Sequence, residues 1–453
     1  MLRNVESVYG ISKFAAKSSN AKEENKSTAI STNIPKPEKI VLDNGLKIIS
    51  QHMPYASSSA LNIAVKVGSV NENDDISGIS HFIEHMMFKG TKTRSALDIA
   101  KQSENVGVEL NAFTDKEITN YHGKMLNENL PVIVDLILDM LFNSKIDKKE
   151  LELERRVILE EIKMYEDSPQ ELAMEEALSS VWSGHPMGRP VIGTNEIVSG
   201  ISRNSIVTYL DKFYKPDNMA ISIAGNCSNL DKIIKQVRKF TSNIRGESIK
   251  QNMPPLYFKS GVTIKKKDIE QAHLVLLMKG LAMTDEDRYA LSVLNDALGG
   301  GSSSRLFQEI REKRGLVYTV NSFSDTSSLG GVFGIYAGFS SKHLKSILKI
   351  AKEELSTVKK DGLNPDELAR AKTKARTSLL FKLESSAKNS IQNIYQDLFH
   401  NRFIAPDEIN EKVQSVTNDK IIELANKLFD LENCSITVVG PKKGLPKKIE
   451  LSD

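Results

Sequence analysis

The segment His81-Phe-Ile-Glu84-His85 contains two metal-binding side chains and a carboxylate at close spacing. It follows Gly78 and ends near Gly90, which predicts a short helix with a glycine beyond its C-terminal end. Histidines at positions i and i+4 share one helix face, so both imidazoles can reach one metal ion. Glu84 lies close to that face and can take a proton from water at the metal. The spacing therefore predicts a zinc site with His81 and His85 as ligands and Glu84 as general base.

This arrangement is the inverted form of the HExxH zinc motif, and it needs a third ligand from elsewhere in the chain. Without one, His81 and His85 would be core histidines with ordinary hydrogen-bond partners. A helix predicted over residues 147–166 offers several carboxylates: Glu150, Glu152, Glu154, Glu160 and Glu161.

The positions of these glutamates around the helix distinguish them as candidate zinc ligands. Its apolar residues spread over one broad face: Leu151, Leu153, Val157, Ile158, Ile162, Met164 and Tyr165. Glu154 and Glu161 fall near the centre of that face, Glu160 at its edge and Glu152 on the opposite side. A carboxylate within an apolar face is unfavourable unless a positive charge such as zinc compensates it. We expect Glu161 to be the third ligand and Glu154 to support the site, with an internal salt bridge as the alternative for Glu154.

The chain repeats itself weakly at an offset near 217 residues. Long helical patterns open at Asp147 and at Asn364, and short β-rich runs end in glycine at 219–225 and 434–440. Strand patterns mixed with long amphipathic helices predict an α+β fold built from two homologous α/β halves.

The repeat gives the predicted domain bounds. Residues 1–37 form a leader or disordered tail, 38–240 a zinc-binding catalytic half, 241–261 a linker and 262–453 a second half. At the same offset, three positions of the second half correspond to the proposed ligands: Leu298, Ser302 and Ser378. These residues do not bind zinc, so the second half is predicted to lack a metal.

The zinc motif and several other segments resemble the pitrilysin-type zinc metallopeptidases, in particular the β subunit of mitochondrial processing peptidase and its bacterial relatives. The matching segments are spread across the chain: Phe88-Lys-Gly-Thr, Leu110-Asn-Ala-Phe-Thr, Glu154-Arg-Arg-Val-Ile-Leu-Glu-Glu161, His185-Pro-Met-Gly-Arg and residues 304–318. The resemblance implies a clamshell of two halves around a peptide-binding cavity and one Zn²⁺ per chain.

The resemblance also implies residues that contact substrate. Arg311 and Tyr318 resemble a pair that reaches the substrate carbonyl, whereas a buried strand aromatic is the alternative for Tyr318. Residues 111–113 (Asn111, Ala112 and Phe113) resemble an edge strand to which substrate adds as a further strand, although Asn111 could equally be a turn residue. Glu171 and Glu175 resemble an acidic pair that binds arginine near the cleaved bond, with a solvated acidic helix face as the alternative.

These features favour an endopeptidase that cleaves presequences or extended basic peptides. Two alternatives stay open: a general oligopeptide-degrading zinc peptidase and a non-catalytic core or assembly subunit. The resemblance implies a homodimer or a heterodimer with a homologous non-catalytic subunit. Such subunits carry a long glycine-rich loop, of which only 299–301 are present here, so this chain resembles the catalytic partner; an ordinary helix end is the other explanation.

Composition bears on binding to nucleic acid, on membrane insertion and on the redox compartment. The 61 basic and 58 acidic residues give a net charge of +3, which provides no electrostatic reason to expect nucleic-acid binding. The apolar stretch 130–142 is interrupted by Asp135 and Asp139 and is shorter than the roughly 20 residues of a membrane span. Cys227 and Cys434 are far apart, which predicts a reducing compartment and no disulfide.

The first residues suggest a location. They are basic and rich in serine, and apolar residues recur at roughly helical spacing, as in an organellar transit peptide. The predicted location is therefore the mitochondrial matrix or a mitochondrion-related organelle, with the bacterial cytoplasm as the alternative.

Overall fold

The computed structural model describes residues 35–244, 246–446 and 448–449. Most of the predicted leader, residues 1–34, therefore lies outside the described residues. Within the described part, two β-sheets with helices packed on them make up the fold, which confirms the predicted α+β class with two homologous halves.

The first sheet contains six strands in the order β1-β2-β6-β3-β5-β4. Their bounds are β1 (Glu38–Val41), β2 (Lys47–His52), β3 (Ser58–Val65), β4 (Asn111–Thr114), β5 (Thr119–Leu126) and β6 (Met219–Gly225). Strands β2 and β6 are parallel, whereas β3 pairs antiparallel with both β6 and β5. The short strand β4 lies at the edge and pairs with β5 alone.

The second sheet repeats five of these positions in the order β7-β11-β8-β10-β9. Its strands are β7 (Gly261–Lys267), β8 (Ala272–Lys279), β9 (Val317–Thr326), β10 (Gly331–Phe339) and β11 (Ser435–Pro441). Its one parallel pair is β7 with β11, which matches β2 with β6 in the first sheet. Strand β9 therefore occupies the edge position that β4 occupies in the first half.

Fourteen α-helices cover the sheets in the described residues. Those of the first half are α1 (Ile79–Met87), α2 (Ala96–Asn105), α3 (Leu130–Asn143), α4 (Lys148–Asp167), α5 (Pro169–Val181), α6 (Asn195–Gly200), α7 (Arg203–Phe213) and α8 (Leu230–Thr241). Those of the second half are α9 (Arg288–Gly299), α10 (Leu344–Asp361), α11 (Pro365–Leu383), α12 (Ser386–Tyr395), α13 (Pro406–Gln414) and α14 (Asn418–Leu428). None of the helices described is long and apolar enough to cross a membrane.

The repeat offset is 217 residues for the long helices α4 and α11 and also for α5 and α12. Side chains at the predicted starting positions cap both long helices: Asp147 accepts from the backbone of α4 and Asn364 from that of α11. The offset does not hold everywhere. Helix α9 ends at Gly299, so Ser302 lies beyond it, and the predicted correspondence between Ser302 and His85 is wrong. Loops of different length before α1 and α9 explain the change in offset.

The two halves exchange one helix each. Helix α5 of the first half packs on the second sheet, where Leu172 and Ala177 contact a cluster that includes Val275 and Leu277. Helix α12 of the second half packs on the first sheet, where Ile394 joins a cluster with residues of β2, β3 and β6: Ile49, Ala64 and Ala220. This reciprocal burial joins the halves through apolar contact. The proposed division at 241–261 stays a prediction.

Candidate metal centre

The helix that carries the histidines, α1, is fixed at its first turn. Gly78 precedes it with φ of +94°, a conformation that side chains disfavour, and a Cβ there would lie 2.7 Å from the Ile192 carbonyl oxygen. The Glu72 carboxylate accepts from the backbone N–H of Gly78 at 2.7 Å and of Ser80 at 2.8 Å. Burial raises the pKa of Glu72 to about 7, although these two hydrogen bonds act to lower it. Glu72 was not predicted from the sequence. Its only signal there is an acidic residue six positions before the glycine that starts the helix.

The structure brings His81, His85 and Glu161 together. Glu161 Oε2 lies 3.6 Å from His85 Nε2 and 3.9 Å from His81 Nε2. One ligand atom from each residue lies within 4.8 Å of the other two. Ligand atoms of a tetrahedral zinc site are about 3.3 Å apart for bonds of about 2.0 Å, so small side-chain shifts would complete the geometry.

The protonation states also suit a metal ion. Zinc binds the neutral imidazole, and burial together with the neighbouring His85 lowers the pKa of His81 to about 3. His85 Nδ1 lies 2.8 Å from Glu154 Oε1, which leaves His85 Nε2 directed toward Glu161. This donor set fits zinc in both atom type and charge.

Glu154 contacts His85 and also forms the internal salt bridge that the sequence left as the alternative. It is buried, and while one oxygen contacts His85, the other lies 2.5 Å from Lys89 Nζ. Burial alone would raise the pKa of Glu154, but His85 and Lys89 outweigh it and lower the pKa. Glu154 therefore carries a negative charge that orients His85. Lys89 was missed because nothing in the local pattern shows that it points back toward α4.

The apolar face predicted for α4 is broader than the one observed. Buried side chains follow one narrow stripe: Leu151, Glu154, Ile158 and Ile162. Four residues assigned to the apolar face are exposed: Leu153, Val157, Met164 and Tyr165. The prediction was wrong for these four because α4 packs against neighbours on only one side. Glu161 borders the buried stripe, whereas Glu160 is exposed and pairs with Lys163 at 2.6 Å.

Glu84 lies on α1 between the two histidines and lines a cavity of about 500 Å³ together with His81. Burial raises the pKa of Glu84, and the hydroxyl of Thr114 opposes this by donating to Glu84 Oε2 at 2.6 Å. Thr114 was not identified from the sequence, because the contact joins two segments thirty residues apart in the chain.

The edge strand β4 forms one wall of this cavity. Ala112, Phe113 and Thr114 line it, and Asn111 is the exposed first residue of the strand, with Oδ1 accepting from the backbone N–H of Ala112. Among the described residues β4 pairs with β5 alone, so its other edge presents backbone groups that another strand could meet.

Glu171 and Glu175 lie on α5 and line the same cavity. Neither forms an ion pair within the described part of the chain. Burial raises the pKa of Glu175, with Lys116 opposing, and Glu175 Oε1 is buried without a hydrogen-bond partner among the described residues. The neighbouring Glu176 does pair, with Lys265 at 2.5 Å.

Arg311 and Tyr318 lie side by side in the second half. Arg311 belongs to a π-helical segment (Phe307–Glu312), and its guanidinium is 5.6 Å from the ring centroid of Tyr318 in β9. Tyr318 is 78% exposed, so the alternative of a buried strand aromatic is wrong. The structure does not bring this pair to the cavity lined by His81 and Glu84.

Comparison with known proteins identifies the family. Residues 47–195 match the family described as Insulinase (Peptidase family M16), and residues 200–375 match the Peptidase M16 inactive domain. A protein of Bacillus subtilis described as an uncharacterized zinc protease is 36% identical over 89% of this chain and 98% of its own length. The chain belongs to peptidase family M16. The resemblance to pitrilysin-type peptidases is thereby confirmed.

Other M16 relatives agree with this assignment. An uncharacterized zinc protease of Rickettsia felis is 37% identical over 88% of this chain and 96% of its own length. The crystal structure of a protease from Helicobacter pylori superimposes with a TM-score of 0.82 at 24% identity, covering 90% of this chain and all of that one, which shows the shared fold.

The comparisons support a zinc metalloprotease and leave its substrate unassigned. The named relatives come from bacteria, which supports the bacterial alternative and gives the predicted mitochondrial location and transit peptide no support.

Proposed function

We propose that this M16 chain is an endopeptidase that holds one zinc ion between His81, His85 and Glu161 and uses Glu84 as general base. The observation that carries the proposal is the convergence of three ligand atoms within 4.8 Å beside a cavity that Glu84 also lines. His81 and Glu84 thus face the same space from one helix.

The chain's residues supply the remaining steps. A bound zinc ion provides Lewis acidity, which makes a water molecule more acidic and polarises the peptide carbonyl. Glu84 takes a proton from that water and returns it to the leaving amine. Burial raises the pKa of Glu84, which makes its carboxylate a stronger base than an exposed one. Glu154 holds His85 in the tautomer that ligates through Nε2.

The proposed substrate is an extended peptide that adds to β4 as a further strand. Its backbone would pair with the free edge of β4, beside the wall formed by Ala112, Phe113 and Thr114. Glu171 and Glu175 face the same cavity, and neither forms an ion pair among the described residues, although Lys116 acts on Glu175 electrostatically. A basic side chain of the peptide would bring the close cationic partner that both carboxylates lack. This charge arrangement favours presequences or other basic peptides over neutral ones.

Arg311 and Tyr318 are proposed to stabilise the oxyanion, and their placement bears on the oligomeric state. They lie outside the cavity that Glu84 lines, and the helix exchange of α5 and α12 opposes a large movement of one half against the other. We therefore propose a dimer in which a second chain brings its own pair to this cavity. A heterodimer with a homologous non-catalytic subunit is the alternative.

Complementation tests the dimer. Glu84→Gln and Tyr318→Phe variants should each be inactive, and a mixture of the two should recover activity, because one site of a mixed dimer has both intact groups. A mixture that stays inactive under conditions that exchange subunits would contradict a shared site in a homodimer.

Substrate class is tested by incubating the purified chain with a basic presequence peptide and with an unrelated peptide of equal length. Zinc in the protein and cleavage of the basic peptide alone support the proposal. Equal cleavage of both would favour a general oligopeptidase. Absence of zinc and of activity, alone and with candidate partners, would favour an assembly subunit.

A further inference from the structure

A hydrogen bond fixes the orientation of Glu84. Thr114 Oγ1 donates to Glu84 Oε2 at 2.6 Å, and Glu84 has no other hydrogen-bond partner within residues 35–244, 246–446 and 448–449. One carboxylate oxygen is thereby held while the other stays available to the cavity. A base held this way needs no reorientation before it takes a proton.

Thr114 is the last residue of β4, and the turn that follows it is tightly bonded. Asp115 Oδ1 accepts from the backbone N–H groups of Glu117 and Ile118, both at 2.7 Å. The backbone of this turn also accepts from the N–H groups of Ser69 and Val70, at 3.2 and 2.9 Å. The position of Thr114 therefore depends on the turn 115–118.

Two residues of this turn form hydrogen bonds with the second half, and the residue between them interacts with it electrostatically. Asp115 Oδ2 accepts from the Tyr395 hydroxyl at the end of α12, at 2.7 Å. The carboxylate of Glu117 accepts from the backbone N–H of Ser328 at 2.9 Å and also from the Ser328 hydroxyl. The partly buried Lys116 interacts electrostatically with Asp325 of β9.

These contacts form an unbroken connection from the second half to the base. Ser328 lies in the turn between β9 and β10, which is the counterpart of the turn between β4 and β5. Each half therefore contributes its edge hairpin to the connection, and α12 adds Tyr395 after crossing to the first sheet.

We propose that Thr114 is a positioning residue for Glu84 and that the second half, through Tyr395 and the turn 115–117, holds Thr114 in place. The proposal rests on the proposed role of Glu84 as general base. It gives the second half a function in catalysis at the site proposed in the first half.

Two substitutions at Thr114 test the first step. Thr114→Val keeps the shape and removes the hydroxyl, so kcat should fall about tenfold or more while KM and zinc content stay unchanged. Thr114→Ser keeps the donor and should retain kcat within about twofold. Wild-type kcat in Thr114→Val, or an equal fall in both variants, would overturn the positioning role.

A double-mutant cycle tests the second step. Tyr395→Phe should lower kcat about threefold in the wild-type background and have no further effect when Thr114 is already valine. Tyr289→Phe is the matched control, because the Tyr289 hydroxyl in α9 accepts from Arg288 at 2.6 Å and contacts neither the turn nor the cavity lining, and kcat should not change. Additive losses from Tyr395→Phe and Thr114→Val, or an unchanged kcat in Tyr395→Phe, would contradict the connection.

The outcomes separate this proposal from the proposed function. An active Glu84→Gln variant would refute the role of Glu84 as general base and with it both proposals. An inactive Glu84→Gln variant together with a fully active Thr114→Val variant would remove only the positioning role.

Discussion

The two halves of the molecule share one sheet topology and differ at the positions that we propose to bind the metal and act in catalysis. Helices α4 and α11 correspond at an offset of 217 residues, which aligns Glu154 with Ala371 and Glu161 with Ser378. Ala371 is buried in the second core, whereas Glu154 is equally buried in the first. The same backbone therefore accommodates either a methyl group or a carboxylate.

The difference shows what a buried carboxylate requires in this fold. Glu154 keeps its charge because His85 and Lys89 each contact one of its oxygens, and both come from the segment around α1. In the second half α9 provides apolar residues to the core instead: Ala290, Leu291, Leu294 and Leu298. The sheet and helices set the geometry in both halves, and the paired side chains of the first half alone supply the proposed metal site.

The largest effect is expected when α4 loses the ligand carboxylate that α11 lacks at the corresponding position. Glu161→Gln should lose zinc and all activity, because a neutral amide replaces the anionic ligand beside His81 and His85. Glu160→Gln is the control, since Glu160 is exposed and pairs with Lys163, and it should keep both. Metal analysis of the purified variants decides; zinc loss from Glu160→Gln instead would show that the wrong glutamate has been assigned.

Removal of the base should be nearly as severe but should spare the metal. Glu84→Gln should keep its zinc and lower turnover by about 10²- to 10⁴-fold, the usual contribution of a general base. Peptide cleavage and metal content are measured on the same preparation. Turnover close to wild type in a zinc-loaded variant would exclude Glu84 from the mechanism.

A smaller effect is expected from the residue that supports His85. Glu154→Gln should weaken zinc binding by about 10- to 100-fold, because the charge that orients the imidazole and pairs with Lys89 is lost. Glu152→Gln is matched in helix and chemistry, but Glu152 is exposed and pairs with Arg155 at 3.1 Å, so zinc affinity should not change. Competition with a chelator gives both affinities. Equal affinities in the two variants would argue against the role assigned to Glu154.

Local sequence patterns predicted the features that are determined by residues close together in the chain. The structure agrees with the helical spacing of His81 and His85 and with helix starts at Asp147 and Asn364. Strand β6 ends at Gly225 as predicted, whereas β11 continues one residue past Gly440 to Pro441. Such features follow from helix periodicity and backbone capping, which a short stretch of sequence determines.

Contacts between distant segments could not be predicted in the same way. Glu72, Lys89 and Thr114 act on the site only after α1, α4 and β4 have packed together, and no periodicity marks them. The exposed side of α4 and the exchange of α5 and α12 likewise depend on which surfaces meet. A single offset also failed near α9, because loops of unequal length separate it from the preceding strand.

The last prediction concerns the exchanged helix α5, which gives the catalytic half its acidic cavity wall. Glu171 and Glu175 are one helical turn apart, face the cavity and form no ion pair among the described residues. An arginine of the substrate would make charge-assisted hydrogen bonds with them, each contributing about 1.5 to 3 kcal/mol. The wild type should therefore cleave a peptide with arginine two residues before the cut faster than its alanine counterpart.

The Glu171→Gln, Glu175→Gln double variant should lower this arginine-to-alanine ratio of kcat/KM by tenfold or more, about 1.4 kcal/mol. Glu176→Gln is the control on the same helix, because Glu176 already pairs with Lys265 and should leave the ratio unchanged. The ratio cancels general losses of activity, so it reports on recognition of the arginine alone. An unchanged ratio in the double variant would mean that the pair is a solvated acidic face. The acidic residues of α5 would then have no part in recognising the substrate.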